Sequence, residues 1–331
     1  MKNKSSVHSK AINASGMFNR RILVTGGSGF LGNHLVKYLV STYQSTYKNY
    51  FIVNIDMLDY CSTRNTELEL NSGANYKFIQ GNITEHCLVK FILEEYKIDT
   101  IIHLAANTHV DNSFGNSLEF TRNNIVGTHT LLECCRIYGK IKKFICMSTD
   151  EVLGCANPEN GVFNPTNPYA ATKASAEHLV NAYRISFHIP TIIVRCNNIY
   201  GPNQYPEKII PKFIKLLNEN KKITIHGDGS NKRRFVHTDD VCSAYDIILH
   251  NGVVGEIYGI GTEDEFTNME IANIIIQKMY GPQTNPNDFI EYIPDRLFND
   301  TRYWVCIKKL NALGWEPKVK FRDGITDLIT S

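Results

Sequence analysis

The 331-residue sequence has no apolar run approaching the ~18 residues of a membrane span, no CxxC pair and no marked excess of either charge. Each absence excludes something. The first leaves no candidate transmembrane helix. Thirty-five basic against 33 acidic side chains give a formal charge of only +2, too even for a protein that works by neutralising a nucleic-acid backbone. Nine cysteines are scattered without framework spacing, and their odd count reads as reduced thiols in a cytoplasmic setting. The histidines complete no ligand set with them, so no metal is expected. The first 18 residues are polar, lack the apolar core of a secretory signal, and are read as a disordered lead-in.

What is present is the composition of a folded chain, 43% hydrophobic and 11% aromatic. From Arg20, short β-branched runs (RRILVT, YFIVNID, KFIQ, TIIHLA, KFICMST, PTIIVRC) alternate with longer amphipathic stretches. That alternation predicts a doubly wound α/β fold, a parallel sheet with helices on both faces. After about Asn198 the pattern loosens into turn-rich segments with helices expected near Ile209–Asn218, Asp239–His250 and Thr267–Met279. The expected organisation is therefore a dinucleotide-binding Rossmann domain over 19–198. A smaller substrate-binding lobe follows over 199–331, with a segment of about 235–262 returning to the main domain.

RRILVT runs directly into Gly26, Gly27, Ser28, Gly29, Phe30, Leu31 and Gly32, where a helical pattern opens. Read alone this is a tight strand-to-helix turn. As the first βα turn of a βαβ unit it is a phosphate cradle, in which missing Cβ atoms and a helix N-terminus receive a pyrophosphate. The second strand ends in Asp56, suited to accept hydrogen bonds from a ribose diol. Met57 follows it, with no arginine to receive a 2′-phosphate, so NAD is favoured over NADP.

At the C-terminal end of KFICMST stand Thr149, Asp150 and Glu151. Two neighbouring carboxylates in an extended segment would point apart and could act as acid and base on different atoms of one ligand. Alternatively they form a solvated acidic turn. Tyr169 and Lys173 follow Pro168 at the start of a helix, on one face at i and i+4. An ammonium some 4 Å away at an effective dielectric near 20 supplies roughly the 4 kcal/mol that brings a tyrosine from ~10 to ~7. Tyr138 and Lys142 show the same spacing, but Gly139 between them ends their helix, and they are read as a decoy.

These motifs resemble the extended short-chain dehydrogenase/reductase family, and within it the nucleotide-sugar 4,6-dehydratases. The resemblance runs from about Arg20 to the end of the chain and rests on TGGSGFLG, HLAANTHVDNSF, STDEV, NPYAATKASAE, NNIYGPNQYPEKIIPKF and HGDGSNKRR. It implies that Tyr169 is the base for a sugar 4-hydroxyl, with Lys173 its partner and Thr149 an orienting hydroxyl. Asp150 would protonate the departing 6-hydroxyl and Glu151 would take the C5 proton. It further implies cofactor contacts at Asn82, Ile83, Leu104, Ala105 and Ala106, beside the glycine loop and Asp56. Substrate contacts are implied at Thr108, Asn198, Lys208, Arg233, Asn268 and Arg296. NTHVDNSFGNSLEF and DRLFNDTRYW look more like UDP-glucose dehydratases, including those of plant rhamnose synthesis, than like dTDP-glucose enzymes. The sequence departs from the family pattern at Leu153, His226, His237 and Asn82. Helices over Ser117–Tyr138 and Ala170–His188 resemble those through which such enzymes form homodimers by a four-helix bundle.

Overall fold

The computed structural model describes residues 18–44, 49–62, 75–155, 162–295 and 300–330. Arg20–Thr25 forms β1, Tyr50–Asp56 β2, Tyr76–Gln80 β3, Thr100–His103 β4, Lys143–Thr149 β5 and Thr191–Cys196 β6. These six join Ile257–Ile260 in a seven-stranded sheet ordered 7-6-5-4-1-2-3, counting Ile257–Ile260 as the seventh strand, with parallel pairing throughout. This is the doubly wound fold the alternation predicts. The order reverses between β1 and β4, so the loops leaving those strands open the crevice where ligands bind in this architecture.

Sequence alternation decides the layers. In β1, Ile22 and Val24 enter one core while Leu23 enters the other. The first core contains helix α1 (Phe30–Thr42), together with Trp315 and a later helix, Thr238–Asn251. The second is closed by α2 (His86–Glu95), α3 (Gly127–Tyr138) and α4 (Pro168–Phe187). Each fully buried aliphatic side chain in these layers contributes about 1.5–3 kcal/mol.

The helical run expected over Ser117–Tyr138 is present, but its middle, Thr121–Val126, is a widened π turn between Ser117–Phe120 and α3. Beyond β6 come β7 (Asn198–Tyr200), α5 (Ile209–Asn218), β8 (Ile223–His226) and β9 (Lys232–His237). Helix α6 is Thr238–Asn251, β10 Ile257–Ile260, β11 Glu265–Thr267, α7 Asn268–Tyr280, β12 Ile290–Ile293 and α8 Phe321–Thr330. Strand β10 and helix α6 belong to the main sheet and its first core, whereas β9 pairs with β7 and β11 in a small sheet of its own. A third core, with Ile210, Phe213, Ile225, Ile275 and Phe321, holds α5, α7, α8 and β8 together.

Two glycines fix the turn from β1 to α1. Gly26 is left-handed at φ +72°, and a Cβ there would stand 2.7 Å from the Ala105 backbone. A Cβ on Gly32 would lie 2.0 Å from the Gly26 carbonyl oxygen, so the first turn of α1 packs on the loop only with glycine at this position. Gly32→Ala is expected to cost about 1–3 kcal/mol through overpacking against backbone. A thermal melt beside wild type measures it, and an unchanged Tm would refute the close-packing account.

Candidate active site

A cleft of about 980 Å³ opens at the C-terminal edge of the sheet and runs into the smaller lobe. Its cofactor-side wall contains Gly26, Gly29, Phe30, Leu31, Gly32, Asp56, Asn82, Ile83, Leu104, Ala105 and Ala106, every one anticipated from sequence. Helix α1 begins at Phe30 with no side-chain cap, leaving backbone N–H groups at the cleft. A Cβ on Gly29 would meet only the Gly26 carbonyl oxygen, at 3.3 Å, so the loop presents bare backbone there. The Asp56 carboxylate accepts from Ser28 N at 3.0 Å, Leu58 N at 2.8 Å and Ser62 Oγ at 3.1 Å. It thus shapes its own turn and still borders the cleft. These features fit a dinucleotide: a cradle without Cβ atoms, an uncapped helix and a fixed carboxylate. Asn82 Oδ1 accepts from Thr84 N and Oγ1, holding the next loop.

That wall is anchored by His103, fully buried between Thr25 Oγ1 (2.8 Å from Nδ1) and Thr128 Oγ1 (2.9 Å from Nε2). Thr128 donates to the Asn124 carbonyl at 2.6 Å, so it must accept from Nε2–H, which leaves Nδ1 to accept from Thr25. Burial first and the Lys173 charge second push His103 down to about 3, consistent with this neutral tautomer. Ala105 N donates to the same Thr25 oxygen, and the Asn124 side chain holds Asn107 N at 2.8 Å.

Strand β5 ends at Thr149, and Asp150–Leu153 forms one tight 3₁₀ turn. The extended segment expected for the acidic pair is therefore corrected: Thr149 Oγ1 accepts from Glu151 N and closes the turn. The carboxyls still have separate partners. Asp150 Oδ1 accepts from Thr149 Oγ1 at 3.0 Å and Oδ2 from Asn197 Nδ2 at 2.8 Å, while Glu151 Oε2 accepts from Asn167 Nδ2 at 2.9 Å. Burial raises Asp150. Burial first and the Asp150 charge second push Glu151 up to about 7. Both move upward, not apart, so near neutrality the pair retains a proton that exposed carboxylates would shed.

Tyr169 and Lys173 share one buried face of α4, as their spacing predicts. The electrostatics differ from expectation. Tyr169 is raised, first by burial and next by Glu151, with only a hydrogen bond to Thr149 easing its phenolate. Lys173, itself lowered by burial, donates to the Met147 carbonyl at 2.6 Å. Burial and the neighbouring carboxylates thus keep the Tyr169 proton on. Tyr138 and Lys142 are confirmed as a decoy, since Gly139 turns left-handed at φ +67° and ends α3 before Lys142.

Toward the smaller lobe the cleft is lined by Thr108, Asn198, Lys208, Arg233 and Asn268, as anticipated. Lys208 Nζ donates to the Thr108 carbonyl at 2.9 Å, tying the two lobes' loops together. The Arg233 guanidinium lies 4.6 Å over the Tyr303 ring and donates to the Asp300 carbonyl at 2.9 Å. Asp300 is in turn fixed through its carboxylate by Thr166 and Tyr303. Arg296 lies outside the described residues. Two contributors were missed from sequence, Asn167 and Asn197. Asn167 also caps α4 through Ala170 N at 2.8 Å, so its place just before Pro168 was the available signal. Asn197 was hidden beside Asn198 in an asparagine doublet. Among the described residues no cluster has the composition of a metal site, and no helix is long and apolar enough to cross a membrane.

Comparison with known proteins agrees with this geometry. The chain is 46% identical to a dTDP-D-glucose 4,6-dehydratase of Dictyostelium discoideum, across 95% of this chain and 81% of that protein. It is 47% identical to an Arabidopsis thaliana trifunctional UDP-glucose 4,6-dehydratase/UDP-4-keto-6-deoxy-D-glucose 3,5-epimerase/UDP-4-keto-L-rhamnose-reductase, across 92% of this chain and 46% of that protein. It therefore spans about half the length of the plant protein. Among solved structures, dTDP-glucose 4,6-dehydratase from Bacillus anthracis in complex with NAD superposes with a TM-score of 0.84 at 37% identity, covering 94% of this chain and 96% of that one. The family model for GDP-mannose 4,6 dehydratase matches residues 23–328. Nearly the whole described molecule, glycine loop, acidic pair and Arg233 included, thus lies within that match, and the chain belongs to the GDP-mannose 4,6 dehydratase family.

Proposed function

We propose that the protein is an NAD-dependent lyase that converts UDP-glucose to UDP-4-keto-6-deoxyglucose. The observation that carries the reading is the Asp150–Glu151 pair, Asp150 buried and Glu151 half-buried at the cleft. A 4-epimerase needs a base and a hydride acceptor, but elimination of water also needs an acid and a base at neighbouring carbons. A protein that merely held NAD would need neither. The choice of uracil over thymine rests on the NTHVDNSFGNSLEF and DRLFNDTRYW stretches and on the plant relative.

NAD held by the glycine loop and Asp56 would supply a hydride acceptor for C4, the same hydride for C6 later, and a positive ring whose charge favours the Tyr169 phenolate. Tyr169 removes the proton of the 4-hydroxyl, with Thr149 orienting it. The resulting 4-ketone acidifies C5–H. Glu151 then takes that proton while Asp150 gives one to the departing 6-hydroxyl, and Glu151 returns its proton to C5 when C6 receives the hydride that NAD would hand back. A single proton held between the two carboxyls leaves the acid and the base that this step requires. Arg233 suits the diphosphate, because a guanidinium fork matches phosphate oxygens.

Homodimer formation belongs to the same proposal. Leu118, Val126 and Ile137 on the helical run through α3, and Ile185 and Phe187 on α4, are exposed apolar side chains on the two helices that a four-helix bundle would use. All nine cysteines are free thiols, which supports a reducing, cytoplasmic setting.

Mass spectrometry after incubation with UDP-glucose or dTDP-glucose tests the reaction directly. A product lighter by one water, formed faster from the UDP sugar, is expected. A galactose isomer of unchanged mass would refute the dehydratase reading, and faster loss of water from dTDP-glucose would refute the uracil preference.

Tyr169→Phe is expected to abolish NADH absorbance in a single turnover. Glu151→Gln should still show that absorbance but stall before water loss, and normal dehydration by this variant would remove Glu151 from its role.

Because this step needs the one proton that the pair holds, elimination should weaken as pH rises through about 7, where that proton is lost. The stability sign is the same. A carboxyl with a raised folded pKa contributes stability that is complete below its ordinary 4.5 and lost as pH rises through about 7. Glu151→Gln should therefore gain Tm over wild type at pH ~8 relative to pH ~5. An equal Tm difference at both pH values would refute the burial account.

A further inference from the structure

Glu177 and Arg195 are charged, buried and unused by the chemistry above. They are 2% and 8% exposed. Arg195 grips Glu177 with both arms, Nε to Oε1 at 3.0 Å and a terminal nitrogen to Oε2 at 2.8 Å, and Ser148 donates its hydroxyl to Oε1 at 2.5 Å. A buried ion pair is weak evidence for stability, since desolvating two charges offsets their attraction. The location of this pair suggests another use. Tyr169, Lys173 and Glu177 stand at i, i+4 and i+8 on α4, and so share a face. Lys173 is tied to Met147 and Glu177 to Ser148, the two residues immediately before Thr149. Arg195 reaches the same carboxylate from β6, where it lies in register with Ser148.

We propose that Glu177, clamped by Arg195, is a positioning residue for the first chemical step. It fixes the end of β5 against α4 and holds its negative charge on Lys173, so that the Lys173 ammonium and the Tyr169 hydroxyl meet the ligand in one register. The proposal rests on the functional reading above, in which Tyr169 deprotonates the sugar. Lys173 is faced by Tyr169 and Glu177 on its own helix, Cys146 on β5 and His103 on β4. Tyr169 is faced by Thr149, Asp150 and Glu151 at the end of β5 and by Cys196 on β6. Among the groups acting on the Lys173 ammonium, Glu177 is the carboxylate, and its charge opposes the effect of burial.

Removing that charge leaves Arg195 positive and unpaired, which lowers the proton affinity of both Lys173 and Tyr169. The test is steady-state kcat and KM, together with single-turnover NADH formation, with UDP-glucose and with dTDP-glucose as a function of pH, for wild type, Glu177→Gln and Glu177→Asp. Glu177→Gln should lose about tenfold or more in kcat with KM changed by less than about threefold, and its pH profile should move to lower pH. Glu177→Asp, which keeps the charge, should restore the position of the profile. Where Glu177→Gln does not fold, the double variant Glu177→Gln/Arg195→Gln, which leaves no charge unpaired, carries the test through its kcat and KM. Its proposal-supporting result is the same fall in kcat at nearly constant KM, and wild-type kcat would overturn the proposal. A folded Glu177→Gln with lower Tm but an unmoved pH profile makes the pair purely structural and overturns this inference alone. Wild type that forms no NADH with either sugar overturns the functional reading, and this inference with it.

Discussion

Keeping Asp150, buried, and Glu151, half-buried, side by side in the cleft is the constraint on which the site depends. Two adjacent carboxyls with little access to water repel one another and resist ionisation, so they persist only where neighbours can satisfy them. Their closest described partners are not cations but the amide groups of Asn197 and Asn167 and the hydroxyl of Thr149. Amide donors favour the charged form without neutralising it, which leaves protons able to come and go. A tight guanidinium pair at either carboxyl would hold it ionised. Such a pair does occur nearby, at Glu177, whose carboxylate Arg195 grips with both arms.

Each of those donors also supports the fold. Asn167 starts α4 while holding Glu151, and Asn197 joins the end of β6 to Asp150. Gly261 lies so close to Asn197 that a Cβ there would stand 2.0 Å from its side-chain oxygen. Reach is thereby set by backbone packing, with little left to side-chain freedom. The site is rigid where protons move, and its entrance is built from loops joined by longer side chains such as Lys208 and Tyr60.

The sheet, both helical layers and the glycine loop were legible in the sequence because they follow from local pattern: short apolar β-branched runs, helices of period 3.6, glycines where a Cβ would collide; the rest of the cofactor wall, Asn82, Ile83 and Leu104 to Ala106, came from the family resemblance. The tight turn at Asp150 was not, since it depends on Thr149 accepting a hydrogen bond from a residue two further on, a contact that competes with continuing the strand. The proton affinity of Tyr169 was misjudged for a related reason. Spacing places a lysine on the same face, but it cannot show that Lys173 donates to Met147, or how completely burial acts on the phenol. Asn197 and Arg195 come from a strand distant in sequence, and their alignment with Asp150 and Ser148 exists only once β5 and β6 are paired. Patterns within one segment were readable, whereas partners across segments were not.

The widened turn at Thr121–Val126 also separates two tasks along one rod. An ordinary helix rotates about 100° per residue, so an extra residue in one turn changes the phase of everything beyond it. Here Asn123 and Asn124 both face inward, onto Asn107 and Thr172, while Leu118 before the turn and Ile137 after it remain on the outside. Deleting one residue there would regularise the backbone yet rotate one half against the other. Either the asparagines would leave the cofactor-side loop, or the outer apolar stripe would be split. The irregular turn thus acts as a gear between the inner and outer faces of the rod, and its length is what keeps the two in phase.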